Sequence, residues 1–170
     1  MKILTFLLAF SFLNFLKSDK PAYLLYDKDL KVTSYENMLK ELTKADIVFF
    51  GELHDNSLNH WLELQVTKDL FTAKKEQLIL GAEMFEADNQ TVMDEYLKSL
   101  ITEKQFETEA KVWQNYQTDY KPLLDFAQDH KLKFIATNIP RRYASIVSKD
   151  RKSTRLNSSH PSISRMPSSA

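Results

Sequence analysis

The stretch DIVFFGELHD, Asp46 to Asp55, decides the fold. Its first half is a continuous apolar run after Asp46, the pattern of a strand buried on both faces. Its second half turns abruptly to glycine, glutamate, histidine and aspartate. Two further runs follow the same plan. QLIL (Gln77–Leu80) leads into Gly81-Ala-Glu83, and KFIA (Lys133–Ala136) leads into Thr-Asn138-Ile-Pro140-Arg141-Arg142. Apolar runs of this kind predict parallel strands.

Helix signals fill the spaces between them. Thr33-Ser-Tyr-Glu36 predicts a capping box that opens a helix running through Leu42. Apolar residues from Leu58 to Phe71 recur at helical spacing. Further helices are predicted over Gln90–Leu100, over Thr102–Trp113 behind Thr102-x-x-Gln105, over Tyr120–His130 with Pro122 in the first turn, and from Arg141 to Ser148. Tyr23 to Tyr26 adds a short apolar run. Strands alternating with helices imply βαβ units: an α/β fold with a parallel sheet and helices on both faces.

The chain has only two glycines, Gly51 and Gly81. Each follows a predicted strand, and each precedes a glutamate, which suggests turns that glycine makes cheaply. Ligands of open parallel sheets bind beyond the carboxyl ends of the strands. Glu52, His54, Asp55, Glu83, Asn138, Arg141 and Arg142 are therefore expected at one rim. Plainer roles compete with this. Asp55 or Glu86 suits a helix cap, and His130 suits a helix end. His60 falls on the helix after the rim and suits a surface position. The aromatic run from Trp113 through Tyr116 to Tyr120 is more often core than cofactor wall. His54, between Glu52 and Asp55 in a strand exit, fits a site better than a core.

Composition narrows the classes. There is no cysteine, which excludes disulfides, thiolate metal sites, cysteine nucleophiles and a lipidated amino-terminal cysteine. Formal net charge is zero, which argues against nucleic acid or an anionic membrane surface as partner. Residues 1–18 are expected to be a signal peptide. Lys2 precedes an apolar run from Ile3 to Leu16, too short to span a bilayer and suited to a signal core. Export to the periplasm or the outer membrane follows, with membrane contact only through that peptide.

From Asp150 the composition turns rich in Ser, Arg and Pro, without an aromatic residue. DRKSTRLNSSH (Asp150–His160) and SRMPSSA (Ser164–Ala170) both resemble translations of a common sequencing adapter, in one frame. Residues 150–170 are therefore expected to be a non-native, disordered tail. Residues 22–149 are expected to be the amino-terminal part of a larger domain.

Four motifs in order carry a family resemblance: FGELHDN (Phe50–Asn56), AEMFEADNQ (Ala82–Gln90), W-x2-Y-x3-YKPLLDFA (Trp113–Ala127) and ATNIPRR (Ala136–Arg142). Together they resemble the ChaN-like haem-binding family, in a superfamily with the Tiki proteases and the erythromycin esterases. The resemblance implies an exported protein of haem or iron acquisition. It also implies haem as cofactor and a homodimer in which two haems stack with tyrosine ligation. The frequent lipid anchor of the family has no cysteine here to carry it.

Two functions follow. Haem needs an apolar slot, an axial donor and cations for its propionates. Trp61, Met84, Phe85 and Trp113, then His54, Tyr116 and Tyr120, then Arg141 and Arg142 supply these types, with Glu52, Asp55, Glu83 and Asn138 around them. The alternative is a hydrolase in which Glu52, His54 and Glu83 hold a divalent metal ion that activates water.

Overall fold

The computed structural model describes residues 20–158, with side chains through Arg151. The expected signal peptide and residues 159–170 lie outside the described residues. The chain opens with a small hairpin, β1 (Leu25–Tyr26) antiparallel to β2 (Val32–Thr33). The cap of α1 (Tyr35–Leu42) is Ser34, one residue later than the capping box predicted. Its hydroxyl accepts the Asn37 N–H at 3.2 Å. Asn56 caps α2 (Ser57–Lys74) in the same way, accepting the Asn59 N–H at 3.0 Å. Tyr35 donates to Asp69 at 2.7 Å and ties the two helices together.

The principal sheet pairs β3 (Ile79–Glu86) with β4 (Lys133–Asn138) in parallel. Parallel strands need a long crossover. It is supplied by α3 (Gln90–Leu97), α4 (Glu103–Ala110), a π-helical turn over Tyr116–Tyr120, and α5 (Lys121–Asp129). Phe134 and Ala136 are buried in the main core beside Phe106 and Leu124 from the crossover helices. Ile135 and Thr137, pointing the other way along β4, line a cleft bordered by Val66 and Leu70 of α2. The sheet thus has helices on both faces, as the alternating pattern implied.

Gln90 finishes the sheet where a third strand would otherwise sit. Its amide nitrogen donates to the Phe134 carbonyl at 2.9 Å, and its amide oxygen accepts the Ala136 N–H at 2.8 Å. One side chain thereby satisfies both backbone groups of a strand edge, which would otherwise lie unpaired in the core.

Four expectations change. Asp46–Phe50 forms no strand. It runs beside the cleft with Val48 and Phe50 half-buried, while Ile47 and Phe49 face outward, Phe49 92% exposed. An apolar run reports burial potential and cannot by itself supply a ladder partner. Gly81 and Glu83 lie within β3 rather than past its end, and neither glycine has a positive φ. The need at Gly81 is space, since a Cβ there would stand 3.0 Å from the Thr137 methyl across the ladder. Beyond Ala82 a bulge sets Glu83, Met84 and Phe85 opposite Thr137 alone, so Met84 and Phe85 are both buried and strict alternation fails.

The other two changes concern helix ends. The predicted third and fourth helices stop early, at Leu97 and Ala110, where Ser99 and Lys111 take left-handed φ values of 57° and 51°. The final helix, α6 (Arg141–Ser158), passes Asp150 without a break. The compositional boundary is therefore not an element boundary, and helix replaces the expected disorder as far as Ser158. Extending a nucleated helix costs little. Residues 141–151 are all exposed, so packing does not drive it.

Candidate functional site

Loop 51–56 enters α2 under tight control from side chains. Asn59 accepts the Leu53 N–H at 3.1 Å and donates to the Gly51 carbonyl at 3.4 Å. Asn115, just before the π-helical turn, donates to the His54 carbonyl at 2.6 Å and to Asp119 at 2.8 Å. Ser57 donates to the other Asp119 oxygen at 3.3 Å. These bonds join the 51–56 loop to a turn some sixty residues later. A π turn places Tyr116 and Tyr120 inward together, and such turns recur at functional sites.

Glu52 is the hub. Tyr120 donates a short hydrogen bond to its Oε1, and His54 Nδ1 lies 2.9 Å from the same oxygen. His60 Nε2 lies 3.7 Å from it and donates to the His54 carbonyl at 3.2 Å. On the far side His60 Nδ1 faces Glu63 Oε2 at 3.8 Å. The His60 ring packs edge-on against Tyr120, at 4.7 Å between centroids, and His54 packs edge-on against Trp113 at 5.0 Å. Among the described residues, no lysine or arginine pairs with Glu52 or Glu63.

The field at this corner is strongly negative. The Glu52 carboxylate, by hydrogen bond and charge, holds the His54 imidazole above the usual histidine range, with Glu83 and Asp55 adding to it. Burial, and then the nearby Glu52 charge, push Glu63 up to about 7, against the pull of His60. Burial and Glu52 likewise raise the Tyr120 phenol.

The structure brings together Glu52, His54 and Tyr120 of the expected set. Glu83 is exposed and acts on His54 only through its charge. Asp55 is exposed in the loop. Tyr116 is 1% exposed, packs beside Phe106, and leaves its hydroxyl without a hydrogen-bond partner. A second group forms at the ends of β3 and β4. Arg141 meets Glu86 at 2.6 Å, Arg142 pairs with Asp88, and Asn138 stands in register with Glu86. No hydrogen bond, ion pair or ring contact among the described residues joins this group to Glu52 or His54.

Two members were missed in the sequence, His60 and Glu63. The available signal was their spacing behind His54 on α2. His60 is one turn into the helix, and Glu63 follows it by three residues, so both share a face. That face turns inward and not to the surface.

An apolar cleft of about 910 Å³ lies between the 46–50 segment, α2 and the sheet. Val48, Phe50, Val66, Leu70, Leu80 and Ile135 supply its apolar wall, and Asp46, Glu63, Glu83 and Lys74 its charged groups. Its size lies within the range of cofactor pockets, about 300–1,000 Å³.

Comparison with known proteins gives three findings. No curated protein matches the chain significantly. A solved structure described as cofacial heme binding to ChaN of Campylobacter jejuni is similar, with a TM-score of 0.54 at 22% identity. The match covers 71% of this chain and 52% of that one, so this chain spans about half the length of the structure it matches, and the likeness supports the fold. The family model described as "Haem-binding uptake, Tiki superfamily, ChaN" matches residues 38–168, a range that runs past Asp150. With most of the chain inside that match, the protein belongs to the ChaN family of haem-binding uptake proteins, in the Tiki superfamily.

Proposed function

We propose that this is an exported haem-binding protein of haem or iron acquisition, with His54 as the residue that meets the haem iron. One observation carries the reading. His54 Nδ1 is held at 2.9 Å by the Glu52 carboxylate, and the side chain is half-exposed. A ligating histidine generally has its other ring nitrogen held by a carboxylate or carbonyl, which sets the tautomer and strengthens the donor. Glu52 is itself fixed by Tyr120. Asn115 and Asn59 fix the loop backbone, so the imidazole is positioned from both ends.

Haem brings an iron that accepts such a donor and propionates that accept cations. The residues fit it. Trp113 lies edge-on to His54 and offers an aromatic wall. Arg141 and Arg142 are the propionate partners in this reading, exchanging Glu86 and Asp88 for the ligand. Tyr120 acts as a positioning residue through Glu52. An imidazole this open leaves much of a bound porphyrin in water, at a cost of about 25 cal/mol per Å² of apolar surface left uncovered. A second copy of the chain covering that face, with the two haems stacked, removes the cost and gives a symmetric dimer.

The test is titration of the haem-free protein with haemin, followed by the Soret band and by molecular mass in solution. A shifted Soret band saturating near one haem per chain, with dimer formation on loading, supports the reading. A spectrum equal to free haemin at every ratio overturns it.

A further inference from the structure

We propose that Glu52, His60 and Glu63 form a binding site for a single first-row divalent cation, separate from the haem reading and not dependent on it. One atom from each residue, a ring nitrogen and two carboxylate oxygens, lies within 4.8 Å of the others. Ligands about 2.0–2.2 Å from a shared ion stand roughly 3–4 Å apart, so sub-ångström to ångström side-chain shifts would close the set.

The decisive atom is His60 Nδ1. His60 is 5% exposed, and Nδ1 has no hydrogen-bond partner. Its Nε2 donates to the His54 carbonyl at 3.2 Å, which places the proton on Nε2 and leaves a lone pair on Nδ1. That lone pair faces Glu63 Oε2 at 3.8 Å, too far for a hydrogen bond. A buried polar atom without a partner is costly, and it calls for a group that the protein chain does not supply. A carbonyl on the opposite nitrogen is also the usual support of a metal-bound imidazole.

Charge points the same way. Glu52 and Glu63 converge with histidines as their only basic partners among the described residues. Carboxylates withdrawn from water are normally paired or bound to a metal. Glu52 makes its contacts to Tyr120, His54 and His60 through Oε1, and none of these uses Oε2. One imidazole with two carboxylates is a mixed nitrogen and oxygen set. It suits Mn2+, Fe2+ or Zn2+ better than the all-oxygen preference of Ca2+ or Mg2+. The competing occupant of the gap is a bridging water, which suits polar contacts beyond about 3.5 Å.

The experiment uses the full chain, free of haem and stripped with chelator. It is titrated with Mn2+ followed by electron spin resonance, and with Zn2+ by calorimetry. One equivalent of each is expected to bind. Glu63→Gln and His60→Gln should each weaken binding at least tenfold, about 1.4 kcal/mol. His130→Gln, remote from the cluster, should bind as the parent does. Circular dichroism checks each variant, and Glu63, less buried than His60, carries the test if His60→Gln fails to fold. No binding up to about 1 mM, which is about −4 kcal/mol, would assign the gap to water. Parent-like affinity in Glu63→Gln would make the binding adventitious. Retention in His60→Gln with loss in His54→Ala would move the ion to His54. Each of these three results overturns the proposal. The Soret titration reads haem and this one reads metal, so either can fail alone.

Discussion

Two corners of this molecule carry acidic residues beside basic ones, and they are built on opposite terms. At the ends of β3 and β4, Arg141 answers Glu86 and Arg142 answers Asp88, one cation for each anion, at the surface. At the entry to α2, Glu52 and Glu63 converge on histidines with no permanent cation, and the groups around them are mostly out of water. The first corner is complete as it stands. The second leaves one imidazole with a free lone pair and another held open to solvent. Unanswered groups can take a ligand directly, while a completed charge pair must be exchanged before one can enter.

Removing the hub should separate the corners most sharply. Glu52→Ala strips the acceptor from the buried Tyr120 hydroxyl. Loss of a buried partner costs about 1–3 kcal/mol, and we expect about 2 kcal/mol of unfolding free energy in denaturant titration. A change below about 0.5 kcal/mol would mean that the Tyr120–Glu52 bond does not hold the corner together. The effect of pH on haem affinity comes next. Glu52 raises the His54 pKa above its ordinary 6.5. The hydrogen on Nδ1 already belongs to Glu52, so the added proton occupies Nε2, the nitrogen proposed to meet the iron. Haem affinity should therefore hold at alkaline pH and fall as pH drops through a midpoint above 6.5. A flat profile between pH 6 and 9 would exclude His54 as the donor. The smallest effect belongs to the completed corner. Arg141→Ala removes an exposed ion pair, and such pairs contribute about 0–1 kcal/mol. A loss of several kcal/mol would show that this corner, too, bears structural weight.

Much of this was legible in the chain, and the misses have physical causes. The parallel pair β3 and β4 was foreshadowed by QLIL and KFIA, short apolar runs flanked by helix signals and turn residues. The Thr102-x-x-Gln105 capping box is present as written. The grouping of Glu52 and His54 in one candidate site was legible, because polar groups clustered at the end of an apolar run are out of place in a core. His60 was misjudged because helical periodicity gives relative faces without saying which one turns inward. Here the loop, pinned by Asn59 and Asn115, rotates His60 beneath Glu52. DIVFF was misjudged because strand pairing is a relation between segments, and a single run contains half of that relation. Gln90 shows the converse. Its role at the β4 edge depends on backbone groups about forty-five residues away, beyond any local pattern.

His54, held by Glu52, is the residue on which the proposed haem binding turns. The direct measurement is the haem spectrum and affinity of His54→Ala beside those of Tyr120→Phe and Tyr116→Phe. His54 is half-exposed, so its truncation leaves the fold intact. We predict that His54→Ala loses at least tenfold in haem affinity, about 1.4 kcal/mol, and alters the Soret and visible bands. Tyr120→Phe should keep the bands and shift only the pH midpoint, since it acts through Glu52. Tyr116→Phe should leave both unchanged, its hydroxyl lying in the core. Parent-like bands and affinity in His54→Ala, with loss of a tyrosinate charge-transfer band in either tyrosine variant, would contradict the account.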